Sequence, residues 1–158
     1  MPHLKAVLLA LVVATGVACN NDNAKPFDDV FVKDLRPGQC FIGSPRAPEN
    51  AEGEKRRMLV VSALSCNASH EKEVFAVFEH PAKVGAPYPE QEEVAKAAQD
   101  GCAERFEGYV GRAFGDTDLQ VAVIAPGPVP WTEDDDRTIV CTLSGDKPLK
   151  GSQKADGD

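Results

Sequence analysis

Residues 89–114 read PEQEEVAKAAQDGCAERFEGYVGRAF, and residues 138–143 read TIVCTL. In the first stretch Val94, Ala98, Cys102, Phe106 and Tyr109 recur at spacings of three and four. That period lays one stripe of a helix against a core. Pro89 suits a first helical turn, and Glu90, Glu92 and Glu93 complement the positive end of the helix dipole. In the second stretch alternation puts Ile139, Cys141 and Leu143 on one face of a strand. A helix packed by its stripe on that face brings Cys102 to Cys141.

Outward from this pair the signals are mostly extended. MLVVSALS (58–65) and EVFAVF (73–78) are rich in β-branched or aromatic residues, and LQVAVIA (119–125) reads the same way. Gln39 to Ile42 reads as a short strand after the turn Arg36-Pro37-Gly38, and Val30 to Leu35 is apolar but ambiguous. Residues 43–57 and 126–136 carry Gly, Pro and charge without periodicity, which predicts loops. The order predicts an α+β domain over residues 30–146: a small antiparallel or mixed sheet of about five strands with one main helix packed on a face. Residues 147–158 read as a flexible tail.

The N-terminus carries a different message. Lys5 precedes the apolar run AVLLALVVATGVA (6–18), which has the length of a signal-peptide core and is too short to span a bilayer. Val17-Ala18-Cys19, followed by polar NNDNAKPFDD, resembles a bacterial lipobox, although Gly16 stands where a large aliphatic residue is usual. This predicts cleavage after residue 18, lipidation of Cys19 by acyl chains such as palmitate, and a short tether over residues 19–29. The protein is then expected outside the cytoplasm, anchored to the outer face of the cell membrane. Cleavage near Ala18 without lipidation is the plainer alternative.

Net charge is −8 over 158 residues, and loss of Lys5 with the leader makes it −9 (−8 − 1). An acidic surface disfavours nucleic acid, and membrane contact is expected only through the lipid anchor. The chain has five cysteines, so four remain beside Cys19: Cys40, Cys66, Cys102 and Cys141. In an oxidising compartment they are expected to form two disulfides. Three connectivities are open, and the helix-on-strand pattern favours Cys102–Cys141, which leaves Cys40–Cys66.

Several fragments together carry a resemblance: LRPGQCF (35–41), VVSALSCNASHEKEVFAV (60–77), Tyr88-Pro89 ahead of the helical Cys102, FEGYVG (106–111), and Pro126 … Trp131 … Asp136-Arg137 leading into TIVCTL. In order and spacing they resemble the septum-formation domain family of actinobacterial envelope proteins. Two positions depart from its pattern, Asp135 where the family has Gly and Ser69 where it often has Pro. The resemblance implies an envelope location, a binding character, the disulfide framework and a link to septum formation or cell division. It implies no catalytic residue and no cofactor.

Candidate chemistry is sparse. Cys66, His70 and Glu73 form a compact C-x3-H-x2-E set whose donors suit zinc, but a disulfide competes for the sulfur, and no metal is expected. A thiol- or metal-dependent hydrolase centred on Cys66 and His70 is the alternative to a non-catalytic binding module. Asp116, Asp118 and the run Glu133 to Asp136 lack the grammar of a calcium loop. Trp131, the single tryptophan, is a candidate binding anchor or else a plug for its own loop. His70 and Glu73 join it as candidate binding residues. The expected partner is an envelope protein or a cell-wall ligand.

Overall fold

Every residue from Ile139 to Leu143 is buried, more than alternation along a half-exposed strand requires. Both faces of that strand are therefore covered. The computed structural model describes residues 27–49, 52 and 58–156. Cys19 and the leader lie outside the described residues. The elements are β1 (Asp28–Phe31), β2 (Cys40–Arg46), β3 (Val60–Leu64), β4 (Lys72–Glu79), α1 (Gln91–Val110), β5 (Gln120–Ile124), α2 (Pro128–Glu133) and β6 (Thr138–Ser144). Two short 3-10 turns, Val32–Asp34 and Phe114–Asp116, complete the set.

The fold is α+β, with a six-stranded sheet in the order β1-β3-β2-β4-β6-β5. Every adjacent pair is antiparallel. The count exceeds the expected five because the ambiguous apolar segment supplies an edge strand. It begins at Asp28, opposite Ala63, so residues 28 and 29 belong to the domain rather than to a tether. Likewise Gly43 to Arg46, expected as loop, extends β2 past an irregularity to pair Arg46 with Val60.

Helix α1 packs Ala98, Cys102, Phe106 and Tyr109 onto Phe75, Ile139, Cys141 and Leu143, the two faces read from the sequence. The opposite sheet face is closed by Leu35, with Phe41, Val61, Val74 and Val140. A bulge between Val74 and Ala76 resets the alternation of β4. Phe75 and Ala76 consequently both face α1, whereas Val74 and Val77 face the other way. Bridges join Cys102 to Cys141 and Cys40 to Cys66, the favoured connectivity. Closing loops of 39 and 26 residues, they stabilise by about 4 and about 3.5 kcal/mol in the chain-entropy model.

α1 stops at Val110, short of the Phe114 expected, because Gly111 adopts a left-handed conformation with φ 73°. The expected flexible tail is also corrected: residues 149–155 return across the domain. His70 and Leu149 exchange backbone hydrogen bonds of 3.0 and 2.7 Å, Gly151 N donates to Cys66 O, and Ala155 N donates to Tyr109 O. The last bond satisfies a carbonyl that the end of α1 leaves open.

At Gly101 the Phe78 ring of β4 occupies the space where a side chain would stand. A Cβ built there lies 2.3 Å from the Phe78 ring, over which the Arg105 guanidinium sits at 4.3 Å. Gly101→Ala should therefore destabilise the domain by about 1–3 kcal/mol in urea unfolding, despite a helix propensity that favours alanine by about 1 kcal/mol.

Candidate functional site

Glu73 is fully buried, and a carboxylate there must find its donors inside the protein. It lies at the start of β4, opposite both Cys40 and Leu143, and faces α1. Tyr109 Oη and Ser152 Oγ each donate to Oε1 at 2.6 Å, and Gln153 N donates to Oε2 at 2.7 Å. The helix end and the C-terminal segment thus converge on one buried acid. Burial, and then the hydrogen bond to Glu73, raise the Tyr109 phenol far above its ordinary value.

His70 is equally buried, but it does not bond Glu73. Its Nδ1 lies 3.0 Å from Ala68 O, and Nε2 has no hydrogen-bond partner. The constellation read as Cys66, His70 and Glu73 is corrected in its sulfur. Cys40 is the one whose donor atom gathers with those of His70 and Glu73, all within 4.8 Å of one another. Cys40 and Cys66 are bonded to each other, so neither is a nucleophile or a thiolate ligand while the bridge is closed.

The second assembly is built on residues 126–137. Expected as loop, this segment contains α2, with Pro128 at its start. Trp131 is 0% exposed, so its indole is not a surface anchor; it is the plug that seats α2 on the domain. Its Nε1 donates to Ala86 O at 2.9 Å, and His80 and Tyr88 pack edge-on against the rings. Arg137, also buried, stacks on the indole at 3.7 Å and donates from Nη1 to the carbonyls of Trp131 and Asp136. Burial first, then the Arg137 charge, lower the His80 pKa, with Glu93 partly opposing. The Ala82 amide donates to His80 Nδ1, which suits the neutral ring.

Between this cap and the β1–β3 side of the sheet lies a cleft of about 650 Å³. Met58, Leu59, Ile124 and Pro130 give it apolar walls, while Glu79 and Asp134 to Asp136 make its polar lining largely acidic beside Lys33 and Arg137. Leu59 is among the most exposed large apolar residues described, at 43%.

The family model described as "Septum formation" matches residues 47–158. The chain belongs to the septum formation family. No curated protein and no solved structure matches it. Asp135 has a φ of +48°, a left-handed conformation that glycine adopts without strain and an aspartate does not. Asp135 gains compensation, since its carboxylate accepts from Gly85 N at 3.2 Å and lies 3.7 Å from Arg137 Nη2.

Sequence reasoning did not find Tyr109, Ser152 and Gln153 as the partners of Glu73. The helical stripe marked Tyr109 only as core. The C-terminal pair sits in a polar stretch where Leu149 is the one large apolar residue, a weak signal that the segment returns to the sheet. Arg137 stands beside an acidic run in the sequence, yet it is the buried cation of the cap.

Two outcomes follow. Trp131→Ala should lower unfolding free energy by about 3–5 kcal/mol, the range for a buried aromatic, in a denaturant titration. Tyr109 acts at alkaline pH. Its folded pKa is raised, so its contribution is complete below the unfolded value near 10 and is lost above it, at up to about 1.4 kcal/mol per pH unit. Stability curves from pH 8 to 11 should fall less steeply for Tyr109→Phe than for the native chain.

Proposed function

We propose that this chain is an exported, lipid-anchored and non-catalytic binding module of the cell envelope that acts near the division septum. Membership of the septum formation family supports the link to septation. The lipobox-like Val17-Ala18-Cys19 supports the anchor, and among the described residues no helix is long and apolar enough to cross a membrane. Lipid on Cys19 holds the domain at the outer face of the membrane, since each buried methylene contributes about 0.8 kcal/mol.

The observation that carries the binding reading is the cleft beside α2. Its apolar walls and acidic lining suit a protein segment with basic residues flanking an apolar side chain, the latter seated against Leu59 and Pro130. The cap that forms one wall is held by the buried Trp131 and Arg137, so the cleft is presented with little ordering cost. This revises the role expected of Trp131, which shapes the surface without touching the partner.

Cys19→Ser should abolish incorporation of labelled palmitate and release the protein from the membrane fraction. A photocrosslinker at residue 33, on the exposed rim of the cleft, should in growing cells capture a discrete envelope protein at division sites. Leu59→Asp, on a half-exposed position, should lose that adduct while unfolding normally. Retention of the adduct in Leu59→Asp would exclude the cleft, and a cytosolic protein with an intact leader would exclude the whole reading.

A further inference from the structure

Cys40, His70 and Glu73 are all buried, at 1%, 0% and 0% exposure, in a place that the binding reading does not use. A donor atom from each lies within 4.8 Å of the others. Two of the three are already oriented as ligands. The acceptor near His70 Nδ1 is the carbonyl of Ala68, so Nδ1 carries the ring proton and the buried, unpartnered Nε2 keeps its lone pair. A ring fixed through its other nitrogen by a backbone carbonyl is the arrangement of metal-bound histidines. Glu73 is fixed by Tyr109, Ser152 and Gln153, yet these take only two positions on Oε1 and one on Oε2. A carboxylate has about four acceptor positions, so Oε2 retains one.

We propose that opening the Cys40–Cys66 bridge creates a zinc site made of the Cys40 thiolate, His70 Nε2 and the Glu73 carboxylate. The reductant is a dithiol. Its thiolate attacks Cys66 Sγ, which is only half-buried, and Cys40 leaves as the thiolate. The second thiol of the reagent then displaces Cys66, which takes up a proton while the reagent departs as its own disulfide. Two electrons pass from reagent to bridge. A divalent ion takes the place of the proton on Cys40. Cys66 Sγ lies 3.3 Å from Gly38 O, a carbonyl ready to accept its S–H, so the fourth position on the metal is left to water. The second bridge stays closed under the same treatment, because Cys102 and Cys141 are both 0% exposed. Metal binding is thereby tied to the redox state of the first bridge alone.

The test compares three proteins: the oxidised chain, the chain treated with a dithiol and desalted, and Cys66→Ser, in which Cys40 has no partner. Each is titrated with Zn2+ by calorimetry and with Co2+ by absorption, where a thiolate ligand gives a near-ultraviolet charge-transfer band. The expected result is one ion per chain in the reduced protein and in Cys66→Ser, and affinity weaker by at least about tenfold in the oxidised chain. His70→Ala in the Cys66→Ser background should remove the site. If opening the bridge loosens the fold, Zn2+ should restore the helical circular dichroism of α1. Equal affinity in oxidised and reduced protein, a Co2+ complex without the thiolate band, survival of binding in His70→Ala, or no recovery with Zn2+ would each overturn the proposal.

Discussion

The structure turns on a carboxylate that is fully buried. Burying an acid at Glu73 without hydrogen-bond donors would cost several kcal/mol. The fold answers with donors from two remote parts of the chain, the C-terminal turn of α1 and the segment at residues 152–153. Neither can move without exposing or orphaning the acid. Glu73 therefore sets the docking angle of the helix end and brings back a segment that has almost no apolar residues of its own. The same strand position pairs with Cys40, so the acid also lies beside the bridge that ties β2 to the connection after β3.

Around this centre the sheet carries a buried cluster on each face. Leu35 and the 3-10 turn before it do the covering on the far side, and the bulge in β4 divides its side chains between the two cores. The second bridge then joins α1 to β6 at a buried point, and Gly101 beside it leaves room for the Phe78 ring against the helix. At the other end of the sheet the Trp131–Arg137 stack performs a comparable task for α2. It converts an acidic, proline-rich stretch into a fixed wall of the cleft.

The sequence showed the parts governed by local periodicity. The stripe of α1 and the alternation of β6 were strong enough to indicate a disulfide between elements 39 residues apart. The α+β class and the remaining strands followed from runs of β-branched residues. What stayed hidden was decided by contacts between distant residues. Nothing local distinguishes Asp28 as the start of an edge strand, because its partner is Ala63. Polar residues at 149–155 have the composition of a frayed end, and the groups that hold them, on His70, Cys66, Glu73 and Tyr109, are all distant in sequence. Trp131 offered two readings because a tryptophan among prolines fits either a surface anchor or a plug, and the choice depends on whether Ala86 and Arg137 are there to meet it. The sulfur nearest His70 was misassigned for the same reason: Cys66 is the neighbour in sequence, Cys40 the neighbour in space.

The return of residues 149–155 also bears on the order in which the molecule can be assembled. A polypeptide is made from its amino end, so strands β1 to β4, the long helix and even β5 and β6 emerge before the residues that quench Glu73. Until they arrive, the nascent domain holds an acid that only solvent can satisfy, and the region around it has reason to stay open. Closure around the acid thus waits until residues 152 and 153 have been made.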